Sequence, residues 1–494
     1  MIETGLISIV PPLLAIILAL ITKEVYSSLF LGVLSGMAIY VFYAQEPFIA
    51  VFSHLFDMMA QKIADNSYMI IFLALLWAVI TLVEKSGGTA AYGRWAQRKL
   101  KTRRATRLAT VLLGVLIFID DGFSCLTIGT VMRPVYDRHR LSREKLAYII
   151  DATAAPVCII APISSWAVAV ASEISETNGF HTFLATIPYN LYALLTILMV
   201  LFVCFTGLDF GKMQTAEERT RLSPAQDTAG AAAESAPRGT VIDLVLPIVV
   251  LIVCAILGMA YVGGFFHGVP FSEAIGYYPT AGLSLGAFAG LVTALLLYLP
   301  RKILGPRQFA ESIVGGIGSI VPPMLILILS WTLGGVCREM IGTGEFISGF
   351  VAASKLPISM LPFLVFVIAA LMSFSLGTSW GTFGMLIPIV TMICAPVGEM
   401  LVPVLGATLA GSVYGDHCSP ISDTTILAST GAQCEHIRHV ETQFPYATLV
   451  AVVCAVGYLI IGFTGMPWIG LGTGAVLLAG AMLFLNRKSG RAEA

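Results

Sequence analysis

The stretch Gly411–Thr430, GSVYGDHCSPISDTTILAST, places Asp416, His417 and Asp423 in an otherwise apolar run, with Ser419, Ser422, Thr424 and Thr425 among them. An ionised carboxylate at the bilayer centre is unfavourable by about 2.5 to 3.5 kcal/mol even on the insertion scale, so bilayer physics alone would remove these acids. Pro420 has no backbone N–H and frees a carbonyl of the preceding turn where little water is present to satisfy it. Unwound backbone, hydroxyls and carboxylates together make a hard-oxygen site for a small cation, of the kind broken helices form in transporters.

The surrounding composition supports that depth. Of 494 residues, 57% are hydrophobic and 12% charged, against a usual charged fraction of about 25%. The chain is expected to be an all-α polytopic membrane protein with lipid as its main surroundings. A net charge of −1 gives no sign of a nucleic-acid partner. The nine cysteines form no CxxC pair and read as packing thiols, and no GxxxxGK[ST] cradle points to nucleotide-driven work or to an enzyme. With Glu3 and no basic leader, residues 5–22 read as a retained span.

Further spans are expected at 26–43 and 67–83, followed by a basic loop over 84–107 that anchors the topology and can contact anionic lipid. Residues 108–135 are apolar, yet a second basic loop with Arg138, Arg140, Arg143 and Lys145 follows. Both loops can be cytoplasmic only if 108–135 is a re-entrant hairpin, with a polar tip at Asp120, Asp121, Ser124 and Thr127. Residues 146–170 form a helix broken at Pro156 and Pro162, carrying Asp151, Ser164 and Ser165. That helix leads to an outside loop with Glu173 and Glu176. Asp151 is close enough in sequence to pair with Arg143 or Lys145. Residues 183–206 return inward, and 207–240, rich in Ala, Ser, Pro and charge, read as a flexible cytoplasmic linker. Spans at 241–262, 279–299 and 316–337 precede a second hairpin over 357–396 and a second broken helix over 401–430. Spans at 443–464 and 469–486 end at Arg487, Lys488 and Arg491, which puts the C-terminus in the cytoplasm.

The halves repeat. Trp77 and Gly88-Thr89 recur as Trp331 and Gly342-Thr343; Gly122, Ser124, Thr127 and Gly129 recur as Gly377, Ser379, Thr382 and Gly384; Pro162-Ile163-Ser164 recurs as Pro420-Ile421-Ser422. The charge bias makes the copies antiparallel. The expected fold is two inverted five-helix repeats, 1–206 and 241–464, each with a re-entrant hairpin and a broken helix, plus one C-terminal helix in 465–494. Such an architecture brings its site to the midplane where the repeats meet.

Candidate ion-coupling carboxylates are therefore Asp120, Asp121, Asp151, Asp416 and Asp423, because a carboxylate out of water can carry a proton and then exchange it for a cation. Candidate binding groups are Ser124, Thr127, Ser164, Ser165, Ser379, Thr382, His417, Ser419, Ser422 and Thr424. The sodium ligands are expected from Asp121, Ser124, Asp423 and Thr424, and Asp423 stands first among the coupling acids since its counterpart in the first repeat is Ser165. Against these readings, acids at a break can serve as helix caps, Ser and Thr commonly back-bond to helix carbonyls, and Trp77 and Trp331 read as packing residues.

GDHCSPISDTT at 415–425, FIDDGFSCLTIGTVMRPV at 118–135 and REKLAYIIDATAAP at 143–156 resemble the NhaC-type sodium/proton antiporters of the ion-transporter superfamily. The resemblance implies sodium and protons as the exchanged ions without a cofactor, an elevator-type movement of a transport domain on a scaffold, a homodimer, and a location in the cell's inner, plasma membrane. It leaves open a sodium- or proton-coupled carrier of a small organic acid, amino acid or amine. A channel would need a continuous polar path, which the apolar flanks of both breaks do not offer.

Overall fold

The computed structural model describes residues 2, 4–174, 179–222, 239–346, 349 and 357–492. Among them the regular elements are helices and no strand occurs, the arrangement that satisfies backbone polar groups within one segment in lipid. Eleven helical stretches among these residues are long and apolar enough to cross a membrane. Large apolar side chains such as Phe42, Phe288 and Phe463 stand exposed on the outside.

After α1 (Val10–Thr22), α2 (Val25–Tyr43) starts at Glu24, whose carboxylate accepts from the backbone N–H of Tyr26 at 3.0 Å and of Ser27 at 2.7 Å. Polar residues interrupt α3 (Ala50–Asp65), so hydropathy does not announce it; its Lys62 meets Glu339 at 2.6 Å. α4 (Ser67–Lys85) follows, and the basic loop holds α5 (Gly88–Lys99). Then come α6 (Arg103–Leu116), capped by Thr102, and α7 (Asp121–Arg138), capped by Asp120. The Arg103 guanidinium donates to the Arg140 carbonyl at 2.6 Å, and His139 Nε2 lies 3.1 Å from the Leu100 carbonyl. The start of α6 and the end of α7 thus lie at one end, so the chain doubles back between the two helices.

α8 (Arg143–Cys158) and α9 (Ser165–Ile174) are two parts of one broken helix; Pro162 lies in the gap, whereas Pro156 stays inside α8. Glu173 does not lie in an outside loop. It is in α9 and 1% exposed, while Glu176 is outside the described residues. α10 (Gly179–Thr186) and α11 (Leu191–Thr206) lead to α12 (Gly211–Leu222), which departs from the expected linker. Composition suggested a loose tether there, but Glu217 accepts from Arg103 at 3.0 Å and from the Ser142 hydroxyl at 2.8 Å, tying α12 beneath the hairpin. Residues 223–238 of that segment lie outside the described residues.

The second half runs α13 (Val241–Val262), α14 (Phe271–Tyr277), α15 (Pro279–Tyr298) and α16 (Pro306–Gly335), which carries Pro322 and Pro323. α17 (Leu361–Leu376) and α18 (Ser379–Cys394) part at Gly377 and Thr378; α19 (Leu401–Cys418) and α20 (Asp423–Ala432) part over 419–422. α21 (His436–Thr464) and α22 (Pro467–Ala492) close the chain. α4, α13, α15 and α16 pack together with α2 and α3 on the flank of α16, while α17 packs on α19 and α20 is held by α7 and α8. The α7–α20 crossing is backbone on backbone, since a Cβ on Gly129 would stand 2.4 Å from the Gly431 carbonyl carbon. A hairpin arm from one half is therefore in direct contact with the broken helix of the other.

Candidate functional site

Three helix N-termini converge because both hairpin tips and the second break restart a helix beside one another. Asp120 caps α7 by accepting from the Phe123 N–H at 3.0 Å, Thr378 caps α18 by accepting from Gly381, and Ser422 caps α20 by accepting from Thr425. Their first turns face one cavity of about 360 Å³. Asp120, Asp121, Asp416 and Asp423 stand around it with Ser379 and Thr424, and among the described residues no lysine or arginine lines it. Four carboxylates around one cavity cannot all be charged without a compensating proton or cation.

The acids differ in how they are held. Asp120 accepts from Phe123 with one oxygen and from the Ser165 hydroxyl, 3.2 Å away, with the other. Asp416, in the last turn of α19, accepts the Ser379 hydroxyl at 2.8 Å and the Ser379 N–H at 3.3 Å on Oδ2, while its buried Oδ1 has no hydrogen-bond partner. Asp423 lies in the first turn of α20 with its side chain exposed at the cavity wall. Of the expected sodium ligands, Asp121, Asp423 and Thr424 share the cavity; Ser124 does not line it, although its hydroxyl and that of Thr127 are buried without partners.

Several other candidates serve the backbone. The Ser164 hydroxyl donates to Cys158, that of Thr382 to Thr378 and that of Ser419 to Phe374, at 2.8, 2.9 and 2.8 Å. Ser422 contacts Thr424 at 3.0 Å. The bonds to Cys158 and Phe374 reach carbonyls in the last turns of α8 and α17, and that of Thr382 doubles the backbone bond at Thr378, the role Ser and Thr play in membrane helices.

Asp151 pairs with neither Arg143 nor Lys145, which are taken by Asp137 and Asp209 respectively. It is turned inward, where its Oδ2 accepts from Gln443 at 2.7 Å, Thr425 at 3.1 Å and His439 at 3.2 Å. His417 lies 3.9 Å from the same oxygen and meets the Tyr192 hydroxyl at 2.7 Å through Nδ1. The cavity and this buried cluster share a wall, since Asp416 and Thr424 face the first while their chain neighbours His417 and Thr425 face the second.

Sequence reasoning does not find His439 and Gln443, which lie on α21, 288 and 292 positions from Asp151. It also misses Tyr26 and the Pro322-Pro323 pair at the cavity, although paired prolines inside a span are a visible signal. Trp77, read as packing, lines the cavity too.

The family model for the Na+/H+ antiporter family matches residues 167–463. An uncharacterised protein of Haemophilus influenzae is 38% identical over 95% of this chain and 93% of its own length. The malate-2H(+)/Na(+)-lactate antiporter of Bacillus subtilis is 30% identical over 37% of this chain and 38% of its own. Among solved structures, the YdaH transporter of Alcanivorax borkumensis superposes with a TM-score of 0.57 at 14% identity, covering 86% of this chain and 90% of that one, a likeness of fold alone.

Proposed function

The chain belongs to the Na+/H+ antiporter family, and from that premise we propose that this integral multi-pass membrane protein exchanges sodium for protons at the four-acid cavity. The observation that carries the reading is Asp416, a buried carboxylate at a helix break with one oxygen held by Ser379 and the other without a partner. A sodium ion bound there, with Asp121, Asp423 and Thr424 as further ligands, would displace a proton, and binding should weaken as pH falls because the two compete for one group. Two inverted repeats moving the hairpins and breaks past the α2–α4–α16 side, elevator fashion, would present the cavity to each face in turn. In this reading the protein sits in the plasma membrane with its C-terminus in the cytoplasm.

A second reading has a specific support. The cavity volume of about 360 Å³ falls in the range of roughly 300 to 1,000 Å³ typical of small-molecule pockets, and three helix N-termini suit the carboxylate of an organic acid. The partial relative that exchanges malate and lactate points the same way. Purified protein in proteoliposomes separates the two. Sodium-driven proton flux with no organic solute present is expected for the first reading; flux that begins only when a small hydroxy or dicarboxylic acid is added would replace it with the second.

A further inference from the structure

Pro388 lies inside α18, four residues after Gly384. It has no N–H to give the Gly384 carbonyl, so that carbonyl loses its helical partner at a depth without water. The Ser330 hydroxyl of α16 fills the gap by donating to it. Glycine at 384 permits the approach, because a Cβ there would stand 3.3 Å from Ser330 Oγ. The same Ser330 Oγ is 3.0 Å from Glu173 Oε2 on α9.

A serine hydroxyl has a single proton. A carbonyl can only accept, so the contact with Gly384 uses that proton, and Ser330 presents only lone pairs to Glu173. Two acceptors at hydrogen-bond distance repel unless the carboxyl supplies a proton of its own. The remaining oxygen of Glu173, Oε1, is buried without a partner, tolerable for a neutral acid and unfavourable for an anion. Arg338, just after α16, is the charged group whose field reaches Glu173; it is exposed, and water screens it.

We infer that Glu173 is a proton-binding site separate from the cavity acids, holding its proton where α9 and α18 meet α16, and that this proton is exchanged during the transport cycle. The assignment of a role in the cycle rests on the antiport reading; the protonated state does not. α16 and α18 both run from the cavity lining into this contact. Ile326 lines the cavity, and Ser330 follows four residues later, about 6 Å along α16 at the usual rise. When α9 and α18 shift against α16, Ser330 can no longer bridge them, the acid meets water, and its proton passes to that water.

Infrared difference spectroscopy on the purified full chain tests the state directly. At neutral pH wild type should show the carbonyl stretch of a protonated carboxylic acid that Glu173→Gln lacks; an identical band in both overturns the assignment. A second variant covers the case in which Glu173→Gln does not insert. Pro388→Ala restores an amide for the Gly384 carbonyl and frees the Ser330 hydroxyl to donate to a carboxylate, so the band should weaken. An unchanged band in that variant also overturns the proposal. In proteoliposomes Glu173→Gln should still bind sodium but lose proton flux by on the order of a hundredfold, whereas wild-type flux with a wild-type pH profile would remove Glu173 from the cycle. Failure of wild type itself to move protons with sodium would count against the antiport reading and leave the infrared result standing.

Discussion

The two helix breaks use the same pair of groups in opposite places. At the first, the hairpin supplies the acid, Asp120, and the broken helix supplies the hydroxyl, Ser165. At the second, the hairpin supplies the hydroxyl, Ser379, and the broken helix supplies the acid, Asp416. The exchange changes what each acid can do. Asp120 sits at an N-cap, where both oxygens are engaged by an amide and a hydroxyl and the helix dipole favours its charge. Asp416 sits in the last turn of α19, where the dipole opposes its charge, and one oxygen is left over. One acid is a strut, and the other has capacity for a ligand.

The largest effect should separate these two acids. Asparagine caps a helix about as well as aspartate, so Asp120→Asn should retain most transport and stability. Asp416→Asn keeps the shape but cannot carry a proton or a full charge, and should lose sodium-driven proton flux by on the order of a hundredfold while folding normally. Flux assays beside thermal unfolding in detergent would show it. A dead Asp120→Asn with an active Asp416→Asn would reverse the comparison.

Both breaks are legible in the chain because proline and acids in apolar runs have few bland explanations, and the doubling back of 108–135 follows from two basic loops that want one side. Partners are not legible in the same way. Asp151 has two cations close in sequence, yet Lys145 bonds Asp209 and Arg143 bonds Asp137, because all four lie toward the helix ends while Asp151 points into the packing between α8, α20 and α21. Composition equally hides α12, whose position depends on Glu217 meeting two groups more than 70 residues away. Glu173 reads as an outside-loop acid because its setting depends on a carbonyl freed by a proline more than 200 residues further on.

An intermediate effect tests whether the buried Asp151 cluster belongs with the strut or with the ligand site. Three donors converge on a single oxygen of Asp151, a fuller set than Asp416 has on its Oδ2, yet the other oxygen is buried without a partner as in Asp416. Gln443→Ala removes the donor at 2.7 Å and also uncovers the His417 carbonyl, which Gln443 reaches at 2.6 Å. Stranding buried groups of this kind costs about 1 to 3 kcal/mol each, so the variant should unfold at lower temperature while the sodium dependence of the remaining flux stays as in wild type. A stable variant with altered sodium dependence would move the Asp151 cluster into the ion site.

The smallest effect is expected at Asp423, the acid that sequence reasoning ranks first. That ranking rests on its place after the repeated Pro-Ile-Ser and on its alignment with Ser165, neither of which says how the side chain is held, and the structure leaves it exposed at the cavity wall. An exposed acid keeps more of its hydration than Asp416 does, so less of the charge balance of the cavity falls on it, and its field is damped within about 10 Å at 0.1 M salt. It can still attract a cation into the cavity, in which Asp121 and Thr424 also stand. Asp423→Asn should therefore leave the maximal rate and its pH profile near wild type and raise the sodium concentration needed for half-maximal rate by a few-fold. That shift should shrink as an inert salt is added, since screening already removes most of what the mutation deletes. The measurement is sodium-dependent flux at two ionic strengths, with Asp416→Asn alongside. If Asp423→Asn abolishes flux at every sodium concentration and salt level, the exposed acid is itself the coupling group, and the contrast between a held and a half-held carboxylate no longer explains which break exchanges the ions.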